Sequence, residues 1–158
     1  MSVETDLLSL KKIIEFIKAD LNGCIKGGVN ISLALVLSVY TEFFGHLLTG
    51  SCDCGKSYCA WLRYMGGNYE KLADDKVDLY DKIRCGLVHE YAIKETAQIF
   101  IENGYPGLEL KNGIIYFNNK QYAEDFIKSI EQYLRDFETN PKLQHNFGIF
   151  RKGKPRII

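Results

Sequence analysis

The stretch V-D-L-Y-D-K-I-R-C-G-L-V-H-E-Y, from Val77 to Tyr91, is the part of the sequence that says most about the fold. Its apolar residues recur at helical spacing and form one broad stripe, while most of the charged residues between them are left for solvent. This pattern predicts a helix that packs against a core. The same helix carries a cation, Arg84, and an imidazole, His89, with four residues between them.

Helical periodicity extends over most of the chain on both sides of this stretch. Turn and breaker residues then predict where each helix begins and ends. We predict a first helix from about Thr5 to Asn22-Gly23, a second and most apolar helix from Asn30 to Thr49-Gly50, a short helix from Ala60 to Met65, and a last helix from Asn119 to Asn140-Pro141.

The period changes after the central helix. Residues 97–118 hold short runs of β-branched and aromatic residues, and Asn112-Gly113 is typical of a tight type I′ hairpin. We therefore predict a mainly α fold: a bundle of four or five helices, with a small antiparallel β meander inserted before the last helix. A single domain would span residues 1–140, followed by a basic tail at 141–158 that lacks acidic residues.

Length and composition are those of one ordinary globular domain. The chain has 158 residues, of which 46% are apolar, and no uninterrupted apolar run is long enough to span a bilayer. No signal segment is evident at the N-terminus, so we expect a cytoplasmic protein with no membrane partner. Twenty cations balance twenty carboxylates, which excludes a global electrostatic field that would draw the protein onto nucleic acid.

The five cysteines form an odd set, which in a cytoplasmic chain favours free thiols over disulfides. His46, Cys52, Cys54 and Cys59 lie within fourteen residues and are weak candidates for a zinc site. Because a Cys-x-Cys pair is too short for the usual zinc knuckle, we predict a loop with incidental thiols and no cofactor. A zinc-stabilised binding protein is kept as an alternative.

Arg84 and His89 are the candidate catalytic residues. A histidine can take the proton of a ribose 2′ hydroxyl and return one to the leaving 5′ oxygen, and an arginine can hold the phosphate and stabilise its developing charge. On an ideal α-helix, however, residues five apart point about 140° away from each other. A long arginine stem, a distortion at Gly86, or a second copy of the motif across a two-fold interface would bring the two groups together.

An arginine, four residues and a histidine near the end of a helix resemble the motif of the HEPN domains (higher eukaryote and prokaryote nucleotide-binding). The resemblance implies a small helical bundle, metal-independent RNA cleavage that leaves a cyclic phosphate, and a composite site in a homodimer. It also suggests a toxin or defence role, with an antitoxin or a nucleotidyltransferase-type protein as partner. Candidate substrate contacts are Lys82, Cys85, Glu90 and Tyr91.

Two other interpretations of the motif stay open. Cys85 follows the arginine where HEPN domains commonly have Asn, Asp or His, which favours a catalytically inactive nucleotide-binding or protein-interaction module. Alternatively, Arg84 pairs with Asp81 one turn earlier and His89 satisfies a polar edge of the bundle, so that both residues contribute to stability alone.

Overall fold

The computed structural model of the protein describes residues 3–74, 78–90 and 97–152. Helices dominate this part of the chain, and a small sheet precedes the last two of them, so the predicted mainly α fold with a small β insertion is confirmed. The elements in order are α1 (Val3–Gly27), α2 (Asn30–Thr49), α3 (Cys54–Met65), α4 (Gly67–Asp74), a π-helix (Tyr80–Glu90), β1 (Ala97–Phe100), β2 (Leu108–Lys111), β3 (Ile114–Asn118), α5 (Asn119–Thr139) and α6 (Pro141–Lys152).

Helix α2 is the centre of the bundle. It packs against α1, α3, α5, α6 and the π-helix, and its apolar face is fully buried at Leu33, Leu37, Phe44 and Leu47. By length and hydropathy alone α2 would be able to cross a membrane, but half of it is buried inside the protein, a property that core helices share. It ends, as predicted, at Gly50, whose left-handed conformation (φ 68°) lets its N–H reach the carbonyl of His46.

Helices α2 and α3 approach each other very closely. A Cβ atom added to Gly45 would lie 1.9 Å from the carbonyl oxygen of Ser57, so only glycine fits at this position. Asp53 caps α3 by accepting a hydrogen bond from the backbone N–H of Lys56 at 3.0 Å, which starts the helix at Cys54, six residues before its predicted start. The close approach brings the start of α3 beside the C-terminal half of α2.

The three-stranded sheet is only partly the predicted meander. The hairpin at Asn112-Gly113 is confirmed: both residues have positive φ, 53° and 78°, and β2 and β3 pair in antiparallel fashion. The predicted place of β1 is wrong. It pairs in parallel with β3, so the strand order is β1-β3-β2, because the segment between β1 and β2 crosses over instead of turning back as a hairpin.

The two ends of the bundle also differ from the sequence-based boundaries. Helix α1 continues through Asn22-Gly23 to Gly27, since the buried Leu21 and the partly buried Ile25 are held against the core. The segment predicted to be a basic tail forms α6 as far as Lys152. Its Asn146 side chain donates a hydrogen bond to the carbonyl of Leu48 at 2.7 Å, and Phe147 is buried, so α6 belongs to the domain.

Candidate functional site

The π-helix supplies the first part of the site. Ile83 and Leu87 are buried against the core, and Arg84 lies between them with its side chain 18% exposed. In a π-helix each backbone N–H bonds to the carbonyl five residues earlier, so residues five apart lie roughly one turn from each other. Arg84 and His89 therefore lie on a similar side of the helix on successive turns, whereas on an α-helix they would point about 140° apart.

Arg84 turns inward and forms an ion pair with Glu42 of α2. Its Nε atom is 2.5 Å from Oε2 of Glu42, whose side chain is 12% exposed. The contact brings the two charges together. Within the described residues, both atoms are buried and neither makes a hydrogen bond of standard geometry. The guanidinium carbon also lies 5.4 Å from the centre of the Tyr80 ring, close enough for a cation–π contact.

This pairing changes the proton affinity of the groups around it. Burial of the Arg84 guanidinium lowers its pKa, but the neighbouring Glu42, Tyr80 and Cys85 together raise it more, so the pKa lies above its ordinary value. Burial and the charge of Glu42 raise the pKa of the Tyr80 hydroxyl. Both groups therefore keep their protons, and Arg84 stays charged at any physiological pH.

Glu42 also faces His46, one turn further along α2. Its Oε1 atom is 3.5 Å from Nε2 of His46. The His46 ring is buried and stacks on the ring of Phe150 of α6. The other ring nitrogen, Nδ1, lies 2.6 Å from the carbonyl oxygen of Ser51. A carbonyl can only accept, so Nδ1 carries a proton and donates it. In the neutral ring Nε2 then presents a lone pair towards the carboxylate.

Cys54, the first residue of α3, completes the cluster. Its Sγ atom, one ring nitrogen of His46 and one carboxylate oxygen of Glu42 all lie within 4.8 Å of one another. Burial raises the pKa of the Cys54 thiol, and the neighbouring Glu42 carboxylate raises it further. The thiol is therefore protonated and a poor nucleophile, which argues against a Cys-His catalytic pair.

The structure separates the two predicted catalytic residues by environment. Arg84 is drawn into the bundle by Glu42, whereas His89 is exposed to solvent on the next turn. Among the predicted substrate contacts, Lys82 and Cys85 are half-buried on the π-helix. Tyr91 and the side chain of Glu90 lie outside what the structure describes.

The four weak candidates for zinc ligands are also separated. His46 and Cys54 lie together beside Glu42, as described above. Cys52 is exposed in the loop before α3, and Cys59 is half-buried on α3, where Arg63, Asp74 and Asp78 are its charged neighbours. The cluster that forms therefore contains two of these candidates and one carboxylate, that of Glu42.

Glu42 is the functional residue whose role the sequence analysis missed. It is the only acidic residue of α2, and it lies in an otherwise apolar helix at the centre of the bundle. A buried carboxylate requires a cation or several hydrogen-bond donors. That requirement predicts a cationic partner from another element, although it cannot say which of the twenty Lys and Arg residues supplies it.

Comparison of the chain with protein-family models, with curated proteins and with solved structures found no significant match.

Proposed function

We propose that the protein is a HEPN-like RNA endonuclease that works without a metal ion and builds its site from two copies of the chain. The observation that carries this proposal is the π-helical register, which puts Arg84 and His89 on successive turns of one helix. The same two side chains on an α-helix would point about 140° apart.

Each residue has a defined role in the proposed reaction. His89, which is exposed to solvent, takes the proton of the ribose 2′ hydroxyl. The 2′ oxygen then attacks the phosphorus, the bond to the 5′ oxygen breaks, and that oxygen leaves with the proton that His89 returns to it. The products are a 2′,3′-cyclic phosphate and a 5′ hydroxyl. Arg84 stabilises the negative charge that develops on the phosphate, and to do so it exchanges Glu42 for the phosphate.

A second candidate function is a catalytically inactive HEPN-like binding module. It is favoured by the ion pair itself, since Arg84 is largely buried and already neutralised by Glu42. Releasing a buried arginine from its carboxylate leaves that carboxylate unpaired, which costs several kcal/mol. A module of this kind would use the surface of the π-helix for binding and leave RNA intact.

Cleavage of a mixed RNA pool in excess EDTA tests the proposal. We expect the wild-type protein to cut and both Arg84→Ala and His89→Ala to lose most of the activity. His145→Ala removes a second exposed histidine, on α6, and serves as the matched control that keeps full activity. Arg84→Lys keeps a positive charge for Glu42 and guards against a loss caused by unfolding.

Three outcomes would contradict the proposed endonuclease site. If the wild-type protein does not cut RNA, the binding module is the better proposal, and if all variants cut equally, the activity belongs to other residues. If His145→Ala loses as much activity as His89→Ala, the loss is not specific to His89. Sedimentation of the active protein tests the second half of the proposal, because a strictly monomeric active species is incompatible with a composite site.

A further inference from the structure

We propose that Glu42, His46 and Cys54 form a binding site for a zinc ion, with three protein ligands and a fourth coordination position left open. The inference does not depend on the proposed ribonuclease activity, since none of these three residues contacts the RNA in that scheme and Glu42 enters it only as the resting partner of Arg84. It rests on four features of the cluster: the distances between the donor atoms, the orientation of His46, the chemical types of the donors, and the second contact of Glu42.

The distance between Glu42 and His46 suits two ligands of one ion better than a hydrogen bond. Their facing atoms are 3.5 Å apart, beyond the usual range of about 2.7 to 3.2 Å for an N–H···O hydrogen bond. Tetrahedral zinc holds oxygen and nitrogen ligands at about 2.0 to 2.1 Å, which places two such ligands roughly 3.3 Å apart. Cys54 lies within the same small volume, all three donors being within 4.8 Å of one another.

The orientation of His46 is that of a metal ligand. Its Nδ1 donates to the carbonyl of Ser51 at 2.6 Å, so in the neutral ring the Nε2 lone pair faces Oε1 of Glu42. Two acceptors that face each other in a buried position repel unless a proton or a metal ion lies between them, and the separation of 3.5 Å is longer than a proton-bridged hydrogen bond usually has. Histidine ligands of metals commonly fix their tautomer through a hydrogen bond from the other ring nitrogen to a backbone carbonyl, as His46 does.

The donor set selects the class of metal. Imidazole and thiolate are poor ligands for Mg²⁺ and Ca²⁺, which prefer oxygen, whereas one nitrogen, one sulfur and one oxygen suit zinc. Three protein ligands leave room for a water molecule or an external anion in the fourth position, as in catalytic zinc sites.

Arg84 takes the place of an outer-shell partner in this arrangement. It contacts Oε2 of Glu42, the oxygen that does not face His46. Ligating carboxylates are usually held by such a second partner, and its removal typically weakens metal binding about 10-fold to 100-fold. The glycine at position 45 has a supporting role, because the close approach of α2 and α3 that it permits brings Cys54 to the two α2 ligands.

Titration of metal-free protein with Co²⁺, followed by displacement with Zn²⁺, tests the site. Cobalt bound to a thiolate gives a charge-transfer absorption that reports the Cys54 bond directly. We expect one equivalent to bind, the absorption to be absent in Cys54→Ser, and Cys52→Ser, which removes an exposed thiol two residues away, to behave as the wild type. His46→Gln and Glu42→Gln should retain the absorption with an affinity at least about tenfold lower.

Two results would overturn the site: no stoichiometric binding by the folded wild-type protein, or a thiolate absorption that survives Cys54→Ser and disappears in Cys52→Ser. Circular dichroism of each variant separates lost ligands from lost folding. If Cys54→Ser does not fold, the affinities of His46→Gln and Glu42→Gln for Co²⁺ decide whether the site exists. An unchanged affinity in both variants would refute the proposal. The RNA assay contains EDTA and the titration contains no RNA, so either proposal can fail without the other.

Discussion

At the scale of single residues, Glu42 is the group on which the interior depends most. It is the only carboxylate of α2, and one of its oxygens faces His46 of the same helix while the other faces Arg84 of the π-helix. Leaving one charge of a buried pair without its partner destabilises the protein by far more than the intact pair stabilises it, because the remaining charge has neither water nor a counter-ion around it. Replacing Glu42 therefore tests whether its ion pair with Arg84 is buried as described.

We expect Glu42→Gln to lower the free energy of unfolding by about 3 kcal/mol or more, measured by urea denaturation in EDTA, because Arg84 is left buried without a counter-ion. The matched control is Glu138→Gln. Glu138 lies 3.9 Å from Lys11 on the surface, with both side chains about half exposed, and its loss should change stability by less than about 1 kcal/mol. Equal effects of the two substitutions would show that the Arg84 ion pair is not buried as described.

At the scale of elements, the crossing of α2 and α3 fixes the position of the candidate site. Gly45 lies one residue before His46, and the backbone of Ser57 passes directly over it. Interiors are packed too tightly to admit even one additional methyl group at such a contact without displacing backbone. Because position 45 has no side chain, the two helices can lie this close together. Their separation also sets the distance from Cys54 to the α2 ligands.

Gly45→Ala should destabilise the protein by about 3 kcal/mol or more, since the new methyl group would overlap a carbonyl that cannot rotate away. Gly23→Ala is its counterpart in α1. In the part of the chain that the structure describes, nothing lies within 4 Å of the added Cβ there, and alanine should stabilise that helix by about 0.5 to 1 kcal/mol. Thermal unfolding of the two variants should therefore shift in opposite directions, and a shift of both in the same direction would refute the close crossing.

The features of these elements that could be predicted were the local ones. Gly50 ends α2, Gly66 ends α3, and Asn112-Gly113 turns the hairpin, because each depends on the backbone preferences of adjacent residues. The parallel pairing of β1 with β3 and the contact of Arg84 with Glu42 depend on residues far apart in sequence. Several partners satisfy the same local pattern in such cases, so the choice is made by packing of the whole chain.

At the scale of the whole molecule, stability depends on a core rich in tyrosine. Tyr58, Tyr122 and Tyr133 are completely buried, and the hydroxyl groups of Tyr122 and Thr41 share a hydrogen bond of 2.8 Å. Burial raises the pKa of all three hydroxyl groups above the ordinary value. The folded protein therefore keeps these protons at a pH at which the unfolded chain has released them.

The stability of the protein should fall steeply above about pH 10, where tyrosines of the unfolded chain ionise. The contribution of each raised pKa is fully present below that pH and is lost above it, at about 1.4 kcal/mol per pH unit for each tyrosine. Urea denaturation between about pH 9 and about pH 11 measures the slope, and Tyr122→Phe should make it shallower. Tyrosinate absorbance that rises fully before unfolding would contradict the buried state of these rings.

The burial of α2 has a consequence for how the protein is made. This helix leaves the ribosome before α5, which covers part of its apolar face and ends about 90 residues later. At roughly 5 to 20 residues per second, several seconds or longer pass before α5 covers its part of that face. During that interval α2 has part of its apolar face exposed, and its length and hydropathy are those of a membrane-spanning segment, so synthesis of α5 sets how long this exposure lasts.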